Sequence, residues 1–581
     1  MQHGELDFSA NIELDVDVYI NDNFTSKGVL TIKCNASPFL SIDLAEIPAL
    51  KRTMDFKISE SIIRCNHKND VFLLHSCNIH FNCIYPKFII KNNHKHSYSK
   101  IYMSIPGLFI FFNGLNGFHE KDGLLSKHIE NEFLNTIFTY NKEDYRLIIS
   151  HDFSVSSNEN ETIIAEDATL CIEKTNGSLS LEEAQKLSMR IVNFFSLILG
   201  EGLSIKYISL GGEGYIYSPF YFLHRYTGIN NITYQAKALI SHPLNMTNEQ
   251  WHLILNNYFS DSNSTEFENI WARLVSMHSY NGYWEYKILG FASILDVYSQ
   301  QVVNNSAKAK IPPFKMKEIK SDLISLLNEK ATLLELNNPT YKQIIESFSN
   351  HITNFKNTDT PNFKERYRHA LKTIDNEFLE IINFTEQDFI TIKNIRDAAA
   401  HGKPVQFISN KGNDNSPSKI NILLNKLAIL LTCLAFKKLG ILEKNFAKMI
   451  SLSHNHIKIN ALLDEVKLDI YTGEGKIINI EKDTFSKMKT LFAFDFPVLE
   501  NKTTNDITFF DPELTNIMKC FKVTKKETFT TESFCNHIYE NYHLDGIFCI
   551  EIIKKLYCRC KDKTVVVYNS PWISFKNQKI H

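Results

Sequence analysis

Near residue 246 the spacing of apolar residues changes from every second position to every third and fourth, so one chain must hold two kinds of architecture. From about residue 15 to 245, VLTIKC (29–34), KFIIKN (87–92), IYMSI (101–105) and LCIEK (170–174) alternate apolar and polar side chains, the two-residue period of a strand. From there to about 450, IKSDLISLLNEKA, YKQIIESFSNHI, ERYRHALKTIDNEFLEII and INILLNKLAILLTCLAFKKLG carry the spacing of helices that bury one face. Beyond about 455, strand-like IKINALL, KLDIYTGEGKIINI and KTVVVYN surround a helical ELTNIMKCF. The pattern predicts a multidomain α+β chain. It comprises a β-rich, sandwich-like or barrel-like domain over 1–245, an all-α bundle over 246–455 and a small mixed α/β appendage over 456–581. The length of 581 residues agrees, because single cores stop growing at roughly 250–300 residues.

Local signals refine this plan. One helix interrupts the β region at about 180–199, with Ser180 as N-cap and Gly200 as its stop. Thr247 begins the next helix, and Thr265-x-x-Glu268 reads as a further capping signal before Trp271, Leu274 and Val275. Asn113-Gly114, Asn116-Gly117, Asp122-Gly123 and Asn176-Gly177 read as hairpin or loop corners. Linkers fall at Asn338-Pro339, at Asp359 to Pro361 and in KGNDNSPSK (411–419), which reads as a mobile loop.

A net charge of -2 excludes a protein that coats nucleic acid through bulk positive charge, so any contact with RNA must use a local basic patch. The start MQHGELDFSA lacks the basic end and apolar run of a secretory signal, which predicts a cytosolic, hence cytoplasmic, protein. Leu427 to Phe436, the most apolar stretch, is shorter than a membrane span and reads as a buried helix, so no membrane partner is expected. Eleven cysteines at irregular spacing read as free thiols. Cys65, His67, His75, Cys77, His80 and Cys83 crowd one segment. Strand alternation puts His75, Cys77, Ile79, Phe81 and Cys83 on one apolar face and His80 on the other, which favours buried thiols over zinc. The tail residues Cys535, His537, Cys549, Cys558 and Cys560 lack paired C-x-x-C spacing, and GGEG (211–214) and GEGK (473–476) read as hairpin corners. No metal or cofactor is expected.

Chemistry concentrates in TEQDFITIKNIRDAAAHGKP. Thr385-x-x-Asp388 is a cap signal, Phe389, Ile392 and Ile395 share a face, and Gly402 and Pro404 stop the helix. Arg396 then lies in the last turns and His401 at the end, about 1.4 turns on. Cutting RNA without a metal needs a group to take the 2′-hydroxyl proton, a group to protonate the leaving 5′-oxygen, and stabilisation of the charge that builds on phosphorus. Histidine moves protons near neutral pH, and arginine offers a charged planar fork that fits phosphate oxygens. Lys393 and Lys403 lie nearest the motif as substrate-binding cations, and Lys364, Arg366, Arg368 and His369 offer a further phosphate-tracking surface or a solvated face.

RDAAAHGKP resembles the R-x(4)-H signature of the HEPN superfamily, in which the residue after Arg is commonly Asn; here it is Asp397. A long β-rich region followed by a helical bundle with this motif looks like the ApeA type of antiphage HEPN protein. The resemblance implies an endoribonuclease whose Arg396 and His401 face the same pair in a second copy, so the expected partners are RNA and a homodimer or higher homo-oligomer. It also implies an acidic residue on an early bundle helix. Asp296 in LGFASILDVYSQ matches that position best, with Glu285 the alternative. Asp397, in place of the usual Asn, joins Lys393 and Lys403 as a substrate-binding residue. Three functional readings follow: an inducible antiphage RNase of the abortive-infection kind, restrained by the β domain until a phage-encoded protein triggers it; a non-catalytic HEPN module that dimerises and binds a ligand; or a toxin silenced by a separate antitoxin.

Overall fold

The computed structural model describes residues 6–20, 23–42, 57–58, 62–80, 82–92, 97–113, 119–121, 124–126, 132–157, 162–212, 217–226, 234–240, 246–304, 311–334, 338–354, 362–403, 417–490, 497–501, 506–509, 512–524, 530–541, 547–561 and 563–575. The corners at Gly114, Asn116-Gly117 and Asp122-Gly123, the linker 359–361, Pro404, Phe81 and most of the 411–419 loop lie outside them. By contacts the chain divides into two compact units, Met1–Phe291 with Asp375–His581, and Ala292–Ile374.

In the larger unit the alternating segments form strands β1 (Ile12–Ile20), β2 (Asn23–Ile32), β3 (Phe39–Ile42), β4 (Lys57–Ile58), β5 (Ile63–His67), β6 (Asp70–His80) and β7 (Cys83–Lys91). β7, β3, β2, β1, β5 and β6 pair in that order, and β6 pairs back to β7, so six strands close a barrel. Its inward side chains include Val16, Val18, Leu30, Leu40, Ile63, Phe72, Leu74 and Ile84, all buried, as the two-residue period demands. Cys65 and Cys77 are buried among them as free thiols. The phase of β6 is not the one expected. Ser76 has φ 52° and is skipped in the pairing, His75 opposing Phe88 and Cys77 opposing Pro86. The register is the same on both sides of Ser76, so no residue is inserted, yet burial passes from Phe72 and Leu74 to Cys77 across it, which puts His75 and Cys77 on different faces.

Strands β8 (Lys100–Ser104), β9 (His119–Lys121), β10 (Leu124–Ser126), β11 (Glu132–Tyr140), β12 (Glu143–Ser157), β13 (Thr162–Lys174), β14 (Tyr207–Gly211) and β15 (Tyr217–Phe222) follow. β15 pairs with β7 and continues the sheet outward through β14, β8, β13 and β12 to β11. Asn141 and Lys142, both at positive φ, turn β11 into β12. The helix Leu181–Leu199 is capped by Ser180 and Glu183 and stopped by Gly200 in the left-handed region, both as expected. The helix Asn248–Phe259, capped by Thr247, lies along the outer edge of β11. There Asn256 Oδ1 accepts from the Thr139 N–H (2.9 Å) and the His252 Nδ1–H donates to the Ile137 carbonyl (2.7 Å).

Arg190 joins the β-region helix to the helices after residue 247. Its side chain is 6% exposed, donates to Glu268 (2.8 Å) and to the Tyr258 carbonyl (3.1 Å), and lies over the rings of Tyr140, Tyr258 and Phe259. Glu268 is therefore no capping residue. Residues 261–278 run as helix with a π turn at Phe267–Trp271, and Thr265 sits inside it. Helix Pro417–Lys438 has the length and mean hydropathy of a membrane span, yet 83% of its most apolar window is buried within the fold, which makes it the core helix expected.

Past residue 455 the strand reading of IKINALL and KLDIYT fails. Asn455 and Asp464 accept from the N–H groups of Ile457 and Lys467 and cap helices His456–Ala461 and Glu465–Thr472. GEGK then turns helix into strand rather than making a hairpin corner. The tail forms β16 (Gly475–Asn479), β17 (Val498–Asn501), β18 (Asp506–Phe509), β19 (Ile547–Cys560) and β20 (Lys563–Phe575) in the order β16-β19-β20-β17-β18, with helices between. Buried Asp469 accepts from Lys555 and Tyr557 and anchors this sheet to the helix before it. The multidomain α+β class is as expected: a β-rich first part, a helical second part and a small terminal sheet.

In the smaller unit, Asn362 caps helix Phe363–Leu371, and helices Pro313–Leu333 and Pro339–Asn354 precede it.

Candidate functional site

The helix Glu386–Ala400 is specified at both ends. Thr385 Oγ1 accepts from the Asp388 N–H, and Asp388 Oδ2 accepts from the Thr385 N–H (3.2 and 2.9 Å). Phe389, Ile392 and Ile395 are buried and fix its rotation. At the far end His401 is the C-cap and Gly402 follows at φ 62°. The Gly402 N–H donates to Ala399 and the Lys403 N–H to Ala398 (3.2 and 2.9 Å), the paired closure of a Schellman end. A Cβ on residue 402 would meet no atom within 4 Å, so glycine is required there by backbone conformation alone.

This end brings Lys393, Arg396 and Asp397 together. One carboxylate holds both cations, Lys393 Nζ at 3.0 Å from Oδ2 and Arg396 Nη1 at 3.3 Å from Oδ1. All three side chains remain between a quarter and a half exposed, so the ion pairs orient the cations more than they stabilise the fold. His401 and Lys403 are exposed at the terminus. Arg396 and His401 lie five positions apart, roughly 140° of rotation about the helix axis, with His401 at the C-cap.

Asp296 belongs to the smaller unit. It lies on helix Trp284–Asn304 and pairs with Arg366 (2.5 Å), both side chains largely buried. That pairing divides the basic run: Phe363 and Tyr367 are buried, Lys364 and Arg366 half-buried, and only Arg368 and His369 exposed, so the four do not form one phosphate-tracking face. Glu285, the alternative to Asp296, sits in the first turn of the same helix, with one carboxylate oxygen buried and unpaired among the described residues. The Asp296–Arg366 pair joins positions 70 residues apart, and no local spacing announces it. No cluster of three metal-ligating side chains occurs among the described residues. In the tail Cys558 is buried and His537 stacks on Phe521, while the Cys549 side chain lies outside the described set.

No curated protein and no solved structure matches the chain. Residues 289–445, about a quarter of it, match the family model described as Apea-like HEPN. The match includes Asp296, Lys393, Arg396, Asp397, His401 and Lys403 and begins after Glu285. At family level it supports HEPN-family antiphage defence. The resemblance read from RDAAAHGKP is thereby a finding, and the chain carries an Apea-like HEPN region over residues 289–445.

Proposed function

We propose that the chain is a cytoplasmic antiphage endoribonuclease that cuts RNA by attack of a 2′-hydroxyl on the adjacent phosphodiester. The observation that carries this reading is the placement of a half-buried guanidinium and an exposed imidazole, Arg396 and His401, at one closed helix end inside the Apea-like HEPN region. His401 takes or returns the proton at the sugar oxygens. Arg396 stabilises the dianionic phosphorane. Lys393 and Lys403 track the neighbouring phosphates, and Asp397 reaches substrate through the two cations that it orients. Proton transfer and charge stabilisation both come from side chains, so the cycle needs no metal.

Two catalytic roles, base and acid, are filled when a second copy supplies its own His401, which makes the enzyme a homodimer. Exposed Leu323, Leu326, Leu333, Ile344 and Phe348 on helices Pro313–Leu333 and Pro339–Asn354 give the smaller unit an apolar surface for that association. Asp296, fixed by Arg366, serves as the acidic group of the early bundle helix. The β region restrains the site until a phage-encoded protein engages it.

Purified full-length chain, activated by co-expression with phage proteins, is to be incubated with RNA in EDTA and the new ends mapped. The reading requires 2′,3′-cyclic phosphate and 5′-hydroxyl ends, lost in His401→Ala and in Arg396→Ala. Ends bearing a 3′-hydroxyl, or undiminished cutting by both variants, refute it.

A further inference from the structure

The helical part of the larger unit contains a cavity of about 70 Å³ whose polar wall is His278, Lys287, Asn421, Asn425, His456 and Asn460. It lies among four helices, Ala272–His278, Trp284–Asn304, Pro417–Lys438 and His456–Ala461. Asn421 and His456 are exposed and mark its mouth, whereas His278 is 5% exposed and forms its floor.

The wall holds several donors, one permanent cation and no carboxylate. Neither ring nitrogen of His278 has a hydrogen-bond partner among the described residues, a costly state for a buried imidazole. The Lys287 Nζ donates to the Tyr280 carbonyl at 3.5 Å and has no carboxylate partner among the described residues. His456 Nδ1 faces Glu201 Oε1 at 3.6 Å, and Glu201 does not line the cavity. The Asn425 Nδ2 donates to both the backbone and side-chain oxygens of Asn421 (2.7 and 3.1 Å), which occupies acceptors of the wall and leaves the Asn421 N–H donors over.

We infer that this cavity binds a phosphate group, either free phosphate or the phosphate of a mononucleotide, with Lys287 as its charge partner and His278, Asn421 and Asn460 as hydrogen-bond donors. A compact anion with several acceptor oxygens satisfies a donor-rich wall in a way that one or two waters, which carry no charge, do not. Burial lowers the pKa of Lys287, and burial with repulsion from Lys287 pushes His278 down to about 3 and lowers His456, so the site is poised for a counter-charge. Nothing in this inference depends on the chain cutting RNA.

The test is thermal unfolding and titration calorimetry of the full chain in sodium phosphate against sodium chloride at matched ionic strength, with adenosine 5′-monophosphate as a second probe. The parent should show a saturable rise in Tm with phosphate. Lys287→Met should abolish it, and Lys287→Arg should retain at least part. If Lys287→Met does not fold, Asn460→Leu at the partly exposed rim should weaken binding at least threefold. Tighter binding of the nucleotide identifies that source, and equal or weaker binding identifies free phosphate. No saturable response to either probe, or an equal response in Lys287→Met, overturns the inference. RNA cleavage by the parent in the same preparation is scored separately, so loss of one property is not mistaken for loss of the other.

Discussion

Two arginines of this chain are housed in opposite ways. Arg190, on the helix that packs against the β region, is enclosed by three aromatic rings and tied to Glu268 and Tyr258, partners some 70 to 80 residues away. Arg396 is paired with its immediate neighbour Asp397 and keeps 27% of its side chain in solvent beside an exposed histidine. Burying a guanidinium in a cage of rings consumes its hydrogen-bonding capacity for structure. A guanidinium held by its own helix is oriented without being enclosed, and that is the state in which it can meet a phosphate.

The largest effect that would sharpen this contrast is on RNA. Removing the imidazole in His401→Ala should slow cleavage by roughly 10²–10⁴-fold with an unchanged Tm, measured in a time course of RNA decay alongside calorimetry. A large drop in Tm would move His401 into the structural class. Arg190→Leu should do the reverse. Loss of a buried, paired charge leaves Glu268 and the Tyr258 carbonyl unmatched and should cost roughly 3 kcal/mol in urea unfolding. A cost below about 1 kcal/mol would erase the distinction between the two arginines.

A third prediction concerns acid. His278 has its pKa pushed to about 3 by burial, with Lys287 and His456 adding repulsion, while Glu201 faces His456. The unfolded state therefore binds the proton first. Stability contributed by neutral His278 is complete above about pH 6.5 and is lost as pH falls from there toward 3. Urea midpoints measured across that window should fall more steeply in the parent than in His278→Leu, and parallel curves would show that the imidazole is solvated after all. Smaller still, Thr385→Ala and Gly402→Ala should each cost about 1 kcal/mol, one by removing a cap and the other by forcing a Cβ into φ 62°. Asp397→Asn should change stability by less than about 0.5 kcal/mol, since its ion pairs are exposed, while altering cleavage through the cations it orients.

The sequence carries the features that are local. Caps at Ser180, Thr247 and Thr385, stops at Gly200 and Gly402, and two-residue alternation in the strands each need only a few neighbouring residues, and each is present as read. What failed involves competition between local signals or partners far along the chain. IKINALL alternates like a strand, but Asn455 caps a helix there and buries Ile457 and Ala461 on one side. A single residue at positive φ, Ser76, reverses the face of everything after it in its strand. The capping reading of Thr265 and Glu268 lost to an arginine 78 residues upstream. For the candidate site, the helix end and the proximity of Lys393, Arg396 and Asp397 were legible because they lie within one turn or two. The Asp296–Arg366 pair was not, because nothing in either neighbourhood names the other.

The outer edge of Glu132–Tyr140 would ordinarily be a place where a second chain can lay down a strand. Here the Ile137 carbonyl and the Thr139 N–H are already occupied by His252 and Asn256 of a crossing helix. A molecule that engages the β region at Ile137–Thr139 cannot do so by extending the sheet, which would read backbone and tolerate many sequences. It must be recognised by side chains and loops, a mode that discriminates among partners.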